Sequence, residues 1–457
     1  MKLKTKANLA MAAFLCACLV PSLGMLVLPE EQAAANQTLA QSPSLTTADG
    51  KWNGNVLQEI TDYTADHFAL RQEMITANAA LEAAVFRVSA EEKVTLGRDG
   101  WLFYTEMLDD YLHTGALTQR QLYGAARTLA LLTEYAEGRG ARLVFTVAPN
   151  KASLYPEYLP YVGRPLEGED DIDRLLPLLE QQGVDYVDLF AAFRGQDEAL
   201  YYRLDSHWTV RGAALAHDAL LSVLDLEGAE PFFTGSWRAA PGHLGDLYEM
   251  LYPTGGELED EITFDRPFTF SYVRPIRSAE DQRIETENPN RTGTLLMFRD
   301  SFGNNLYPFL AEDYGRAVFS RAMPYQMSLL DETGADTVVI ELVERNLSYL
   351  AVHAPIFPAP ERWLSGTPAE GTASARLTVA DDGLLEGYAR LEGALTGPVD
   401  EDSPVYVQLG ETLYEASPAG QAGEGEVPFT LYVPLDAALE EAQVLYLQGG
   451  AVCAAHQ

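Results

Sequence analysis

Between residues 119 and 342 the chain alternates five times between segments with apolar residues at helical spacing and short apolar runs rich in β-branched and aromatic residues. Leu122, Ala125, Ala126, Leu129, Leu132 and Ala136 share one face of a helix expected over 119–138, and ARLVFTVAP (141–149) is an apolar run closed by proline. The pattern recurs as a helix at 171–182, the strand GVDYVDLF (183–190), a helix at 209–225, the strand TLLMF (294–298), a helix from Ser301 to Ala311, the strand RAVFS (316–320), a short helix near 325–332 and the strand DTVVIEL (336–342). Strands that are continuously apolar and separated by amphipathic helices imply a parallel sheet covered on both faces. The expectation is an α/β, three-layer domain over 54–357, opening with a helical stretch at 54–87 and interrupted by a turn-rich insertion at about 229–292.

The pattern changes after IFPAPERW (356–363). ARLTV, PVYVQLG, PFTLYVPL and QVLYLQG alternate with period two between Gly, Pro and Asp turns, which predicts a small C-terminal β-sandwich over 358–457. Residues 367–457 carry 15 Asp and Glu against only Arg376 and Arg390. A solvated acidic face explains this surplus without a ligand. For the whole chain the formal charge is −36, which repels phosphate backbones and argues against a nucleic acid partner.

At the N-terminus, Lys2, Lys4 and Lys6 precede a charge-free run from Leu9 to Leu28. Its length matches the roughly 20 residues needed to span a bilayer, and the lysines favour a cytoplasmic start, with the rest of the protein outside. A signal peptide cut after the small residues Ala33-Ala34-Ala35 is the alternative for residues 1–35. Residues 36–53 are polar and turn-rich and read as a linker. Cys16 and Cys18 fall inside the leader, so Cys453 is the only thiol beyond it and stability rests on packing.

Two short stretches carry candidate chemistry. In LLMFRDSFGNNL, Ser301 follows a buried strand and opens a helix, the carboxyl edge of a parallel sheet where α/β ligand sites lie. Amides at that helix start can stabilise an oxyanion. The same turn offers Arg299, Gly303 and Asn304 as oxyanion or substrate contacts, whereas Ser301 or Asp300 acting only as a helix cap is the plain alternative. In LYYRLDSHWTVRG, Asp205 stands two residues before His207, so the carboxylate can hold the imidazole in one tautomer while its other nitrogen accepts a serine proton. The same pair also suits a metal, with His243 and Asp246 of PGHLGDLYEM completing the set, or an ordinary polar turn. Lys151 and Trp208 are further candidates for contact with substrate, with a solvated loop lysine and a core tryptophan as their alternatives. Trp101 can line a cleft or fill the core, and Glu341 and Glu344-Arg345 are expected in ion pairs or caps.

The ordered set DHFALR (66–71), LGRDGWLFY (96–104), VAPNKASLYPEYLP (147–160), YYRLDSHWT (201–209), MFRDSFGNNLYPFL (297–310) and VVIELVERNL (338–347) resembles the DHHW-type proteins and the alginate O-acetyltransferases of the AlgX/AlgJ group. The resemblance implies a permuted SGNH-hydrolase-like domain, exported and often membrane-anchored, in which Asp205, His207 and Ser301 form the catalytic triad. It further implies transfer of O-acetyl groups to a cell-surface polysaccharide, with a multipass membrane acyltransferase as donor partner and no cofactor. Hydrolysis of such esters, or a non-catalytic glycan- or complex-binding role, are the alternatives. The name-giving motif reads Asp-His-His-Trp; here its second position is Ser206, expected to point away from the Asp/His face.

Overall fold

The computed structural model describes residues 39–380, 383–420 and 425–456, with scattered positions between 8 and 25. The leader expected at Leu9–Leu28 falls largely outside the described residues. Among those described, no helix is long and apolar enough to cross a membrane.

The expected alternation folds as an α/β unit. Its sheet has seven strands in the order Asp185–Val187, Arg142–Ala148, Thr337–Val343, Thr294–Phe298, Arg316–Ser320, Arg283–Glu287, Ser271–Tyr272. The first five run parallel, and the last two, both from the 229–292 insertion, are antiparallel to their neighbours. The sheet is therefore mixed, because the insertion supplies strands that extend its edge. The rest of the insertion includes the hairpin Trp237–His243 with Glu259–Phe264 and, between its strands, the helix Asp246–Leu251.

Period-two alternation explains why the central strands are apolar throughout. Leu143, Phe145, Val338 and Ile340 enter one core under the helices Gln119–Glu137 and Asp171–Gln182. Val144, Val339 and Val343 enter the other, under Val210–Leu224 and Gly303–Asp313. With both faces covered, the strand interiors are almost wholly apolar, and polar residues gather toward the ends, as at Arg142, Thr294, Arg316 and Thr337. Helix starts follow their caps. Thr118 forms a capping box with Gln121, and Thr209 accepts from the Gly212 amide.

The C-terminal unit is a closed barrel rather than the expected sandwich. Its strands run in the order Thr412–Pro418, Val405–Leu409, Ala442–Gln448, Ala451–His456, Ala369–Ala380, Tyr388–Thr396, Glu426–Pro434. The last returns to the first through Ser417 opposite Thr430 and Pro418 opposite Phe429. Inward alternation is the same in a sandwich and a barrel. What separates them is that closing contact and the parallel pairing of Ala369–Ala380 with Ala451–His456, which joins residues far apart in sequence.

The barrel is clamped to the α/β unit through Glu415, which is 1% exposed. Arg127 grips its two oxygens at 2.7 Å each, and Arg362 Nε donates to it at 2.6 Å while also pairing with Glu134. Glu415→Ala strips two partly buried guanidiniums of their shared carboxylate. We expect it to cost about 3 kcal/mol, read as a lower urea midpoint.

Candidate active site

The strand Thr294–Phe298 leaves the sheet through Arg299, Asp300 and Ser301 and enters the helix Gly303–Asp313. Asp300 fastens this turn: Oδ1 accepts the Phe302 amide at 2.8 Å, and Oδ2 accepts the Val343 amide at 2.7 Å and Asn346 Nδ2 at 3.2 Å. Among the described residues no side chain caps the helix itself, and Asp300 is spent on the turn before it. The Ser301 hydroxyl is left to meet His207 Nε2 at 2.8 Å.

His207 sits on a loop closed by a bridge between Tyr201 and Trp208. Trp208 is fully buried; its indole N–H donates to the Phe302 carbonyl at 3.0 Å, and Asn305 Nδ2 donates to the Trp208 carbonyl at 3.2 Å. Those two bonds lock the loop bearing His207 to the turn bearing Ser301, residues 94 apart in sequence.

Asp205 is the centre of the loop. Oδ1 faces His207 Nδ1 at 2.8 Å and accepts the His207 amide at 2.8 Å. Oδ2 faces His243 Nε2 at 2.9 Å and accepts the Asp246 amide at 3.0 Å. Burial opposes the charge on Asp205, but the imidazoles of His207 and His243 hold its carboxyl well below the usual range. For His207, burial pulls downward, yet the charge and hydrogen bond of Asp205 prevail and hold the imidazole above its ordinary value. With Nδ1–H given to Asp205, Nε2 carries the lone pair that accepts the Ser301 proton. The arrangement can deprotonate a serine and stabilise the resulting imidazolium. Around it, no hydrogen bond among the described residues takes up the amides of Ser301 and Gly303, which leaves them able to donate to an oxyanion.

Ser206 does not point away from this face. Its hydroxyl donates to Asp246 Oδ2 at 2.6 Å and lies 3.1 Å from His207 Nδ1, while its amide donates to Asp246 Oδ1 at 2.7 Å. Asp246 draws the side chain inward because the helix it begins presses against the loop. At Gly245 a Cβ would meet the Leu204 carbonyl oxygen at 2.3 Å, so only glycine allows that approach.

Asp205, His207 and Asp246 have ligand atoms within 4.8 Å of one another. Even so, Asp205 and His207 meet at 2.8 Å, whereas two ligands each about 2 Å from a zinc ion stand more than 3 Å apart. The spacing is that of a shared proton. His243 and Asp246, weighed in sequence only as metal ligands, instead hold Asp205; the Gly245-Asp246 helix start was the signal available for Asp246.

Several expected substrate contacts lie elsewhere. Lys151 is fully buried: Nζ donates to the carbonyls of Leu102, Arg203 and Asp205 at 2.6, 3.0 and 2.9 Å and lies 4.9 Å from the Trp101 ring centre. Burial pulls its ammonium down to about 7. It underpins the Asp205 loop and does not face solvent. Arg299 is likewise buried and spans Asn304 Oδ1 and the Ala279 carbonyl, while Asn304 Nδ2 is taken by Glu280. Among the described residues Glu341 and Glu344 form no ion pair: Glu341 packs beside Asp300, and Glu344 accepts from the Asn150 amide and Ser153 hydroxyl, both at 2.7 Å. Burial pushes Glu341 well above the carboxylate range and Glu344 up to about 8. Trp101 stacks on Tyr158 at 4.3 Å between ring centres, in the core.

The family model described as SGNH hydrolase-like domain, acetyltransferase AlgX, matches residues 94–323, half of the 457-residue chain. The chain belongs to the AlgX acetyltransferase family. The matched stretch contains Asp205, His207, His243 and Ser301 and stops short of the barrel. Among curated relatives, the chain is 27% identical over 238 residues to a protein named probable alginate O-acetylase AlgJ from Pseudomonas syringae, covering 50% of this chain and 57% of that one. It is 29% identical over 213 residues to the protein of the same name from Pseudomonas putida, covering 44% and 52%. The chain thus spans about half the length of these curated relatives. Solved structures similar to it include a DHHW family protein from Eubacterium siraeum, at TM-score 0.40 and 20% identity over 49% of this chain and 85% of that one. Another is the O-acetyltransferase domain of Pseudomonas putida AlgJ, at TM-score 0.38 and 22% identity over 56% and 92%.

Within this AlgX-family site, Lys151→Met removes the donor from three buried carbonyls. We expect a stability loss on the order of 3 kcal/mol, seen as a lower denaturant midpoint, with activity falling at denaturant concentrations where the fold persists.

Proposed function

We propose that this protein is an extracytoplasmic serine-dependent O-acetyltransferase that modifies a cell-surface polysaccharide. The observation that carries the reading is the continuous hydrogen-bond chain from Ser301 through His207 to Asp205. His207 takes the Ser301 proton as the oxygen attacks an acetyl carbonyl, and Asp205 stabilises the imidazolium. The amides of Ser301 and Gly303 bind the oxyanion of the tetrahedral intermediate. Collapse expels the donor's leaving group, protonated by His207, and leaves acetyl-Ser301. A sugar hydroxyl, deprotonated by the same imidazole, then takes the acetyl group and restores the serine.

Water in place of the sugar makes the same protein an O-acetyl esterase. Family membership supports transfer, and the relatives' name supports a polysaccharide acceptor. On this reading a multipass membrane acyltransferase supplies the acetyl group, the segment over 1–35 anchors the chain or directs its export, 36–53 is the spacer, the unit over 54–357 performs the chemistry and the unit over 358–457 accompanies it. Neither step calls for a cofactor.

A fluorophosphonate probe should label the wild-type protein and not Ser301→Ala. Acetyl-ester turnover in that variant should drop on the order of 10⁴-fold and be indifferent to chelators in the wild type. An unlabelled wild type, or a Ser301→Ala variant with unchanged glycan acetylation, overturns the reading.

A further inference from the structure

The residue that the proposed chemistry leaves unused is His243. It stands at the end of the strand Trp237–His243, in the insertion, yet its Nε2 lies 2.9 Å from Asp205 Oδ2. Asp205 is thereby shared by two imidazoles, one on each oxygen. Tyr202 stacks on His243 with ring centres 3.8 Å apart and an interplanar angle of 12°, which fixes the ring's plane against the carboxylate. Unlike the buried Asp205, the His243 side chain is 25% exposed, so the ring is in contact with solvent.

We infer that His243 is a positioning residue that sets the basicity of His207 through Asp205 and makes the site sense two protons instead of one. This rests on Ser301 and His207 acting as proposed above. Neutral His243 donates Nε2–H to Asp205 and leaves the carboxylate's full charge to stabilise an imidazolium at His207. Protonated His243 makes the same hydrogen bond but places a positive charge on Oδ2. The charge then shared with His243 is lost to His207, which becomes a weaker base.

The groups facing His243 favour its protonation. Glu259 lies opposite it in the hairpin, Asp246 begins the adjoining helix, and Glu261 lies beside the neighbouring Gly242. Lys151 lies beneath the same loop, bonded to the Asp205 carbonyl. Although burial opposes the charge, the hydrogen bond and charge of Asp205 hold His243 above its ordinary value. On the other side, His207 faces Asp205, with Asp246 Oδ2 3.6 Å from Nδ1, and Arg345 is the nearby cation.

The sign follows. Both imidazoles are neutral at high pH, where Asp205 supports His207 fully. As pH falls, each proton bound weakens the site, and activity declines with a slope that steepens toward two protons per pH unit.

The test uses the full chain and p-nitrophenyl acetate, with His243→Gln retaining the donor without the charge. At pH 8 that variant should hydrolyse within about threefold of wild type, and its acid limb should follow a single proton. His243→Ala, which leaves Oδ2 without its imidazole partner, should lose about tenfold in kcat across the range with KM little changed. NMR titration of ¹⁵N-histidine-labelled protein reads the coupling without activity: two linked transitions in wild type, and one for His207, moved to higher pH, in His243→Gln. If the His207 titration is the same in both proteins, the inference fails whatever the rates do. If the coupling is present while Ser301→Ala hydrolyses like wild type, it is the serine mechanism that fails.

Discussion

The carboxylate of Asp205 is the constraint on which the site's geometry depends. It is 5% exposed and receives two imidazoles and two backbone amides. A charge at that depth is tolerable only because donors surround it. The donors come from two stretches of chain: the imidazole and amide of His207 from the loop that also carries Asp205, and the His243 imidazole and Asp246 amide from the junction between a hairpin strand and the helix that follows it. Satisfying one buried charge therefore aligns the loop with the insertion. Lys151 does the same from below, binding the carbonyl of the same residue. Once those bonds form, His207 has one orientation, and its free nitrogen points at Ser301.

The sheet provides the other half of this alignment. Asp300 binds the start of its own helix and the end of the neighbouring strand, so the Ser301 turn is held to the carboxyl edge and not merely placed near it. Glu341 lies buried against the same turn, and burial together with the charge of Asp300 pushes its carboxyl well above the usual range. The indole of Trp208 then joins that turn to the His207 loop through a bond inside the core. A polar site is thus supported by apolar packing on both sides of the sheet.

How much of this was legible in the sequence follows from the range of each interaction. The alternation between 119 and 342 is local, and its five strands and intervening helices appear within a few residues of their expected bounds. Asp205 and His207 were readable because they share one loop, and Ser301 because a strand followed by a serine and a helix has a definite address in a parallel sheet. His243 had no comparable signal, since its approach to Asp205 depends on how the insertion folds back. Lys151 reads in sequence as a substrate contact or a solvated loop lysine, because its surroundings are loop-like, while its burial is decided by three carbonyls from two other segments. Barrel closure escaped for a related reason: alternation records which way a side chain faces, not which strands meet at the seam.

Function adds a requirement that fold alone does not meet. In the proposed reaction an acetyl-serine must survive long enough for a sugar hydroxyl to reach it before water does. The His207 side chain is 21% exposed, so the site is a rim and not a sealed chamber. Exclusion of water must then come from the acceptor chain itself as it covers that rim. On this view transfer and hydrolysis are not different chemistries but different occupancies of one surface. On the inference drawn above, the base at such a rim would take its strength in part from a second imidazole that is itself partly exposed.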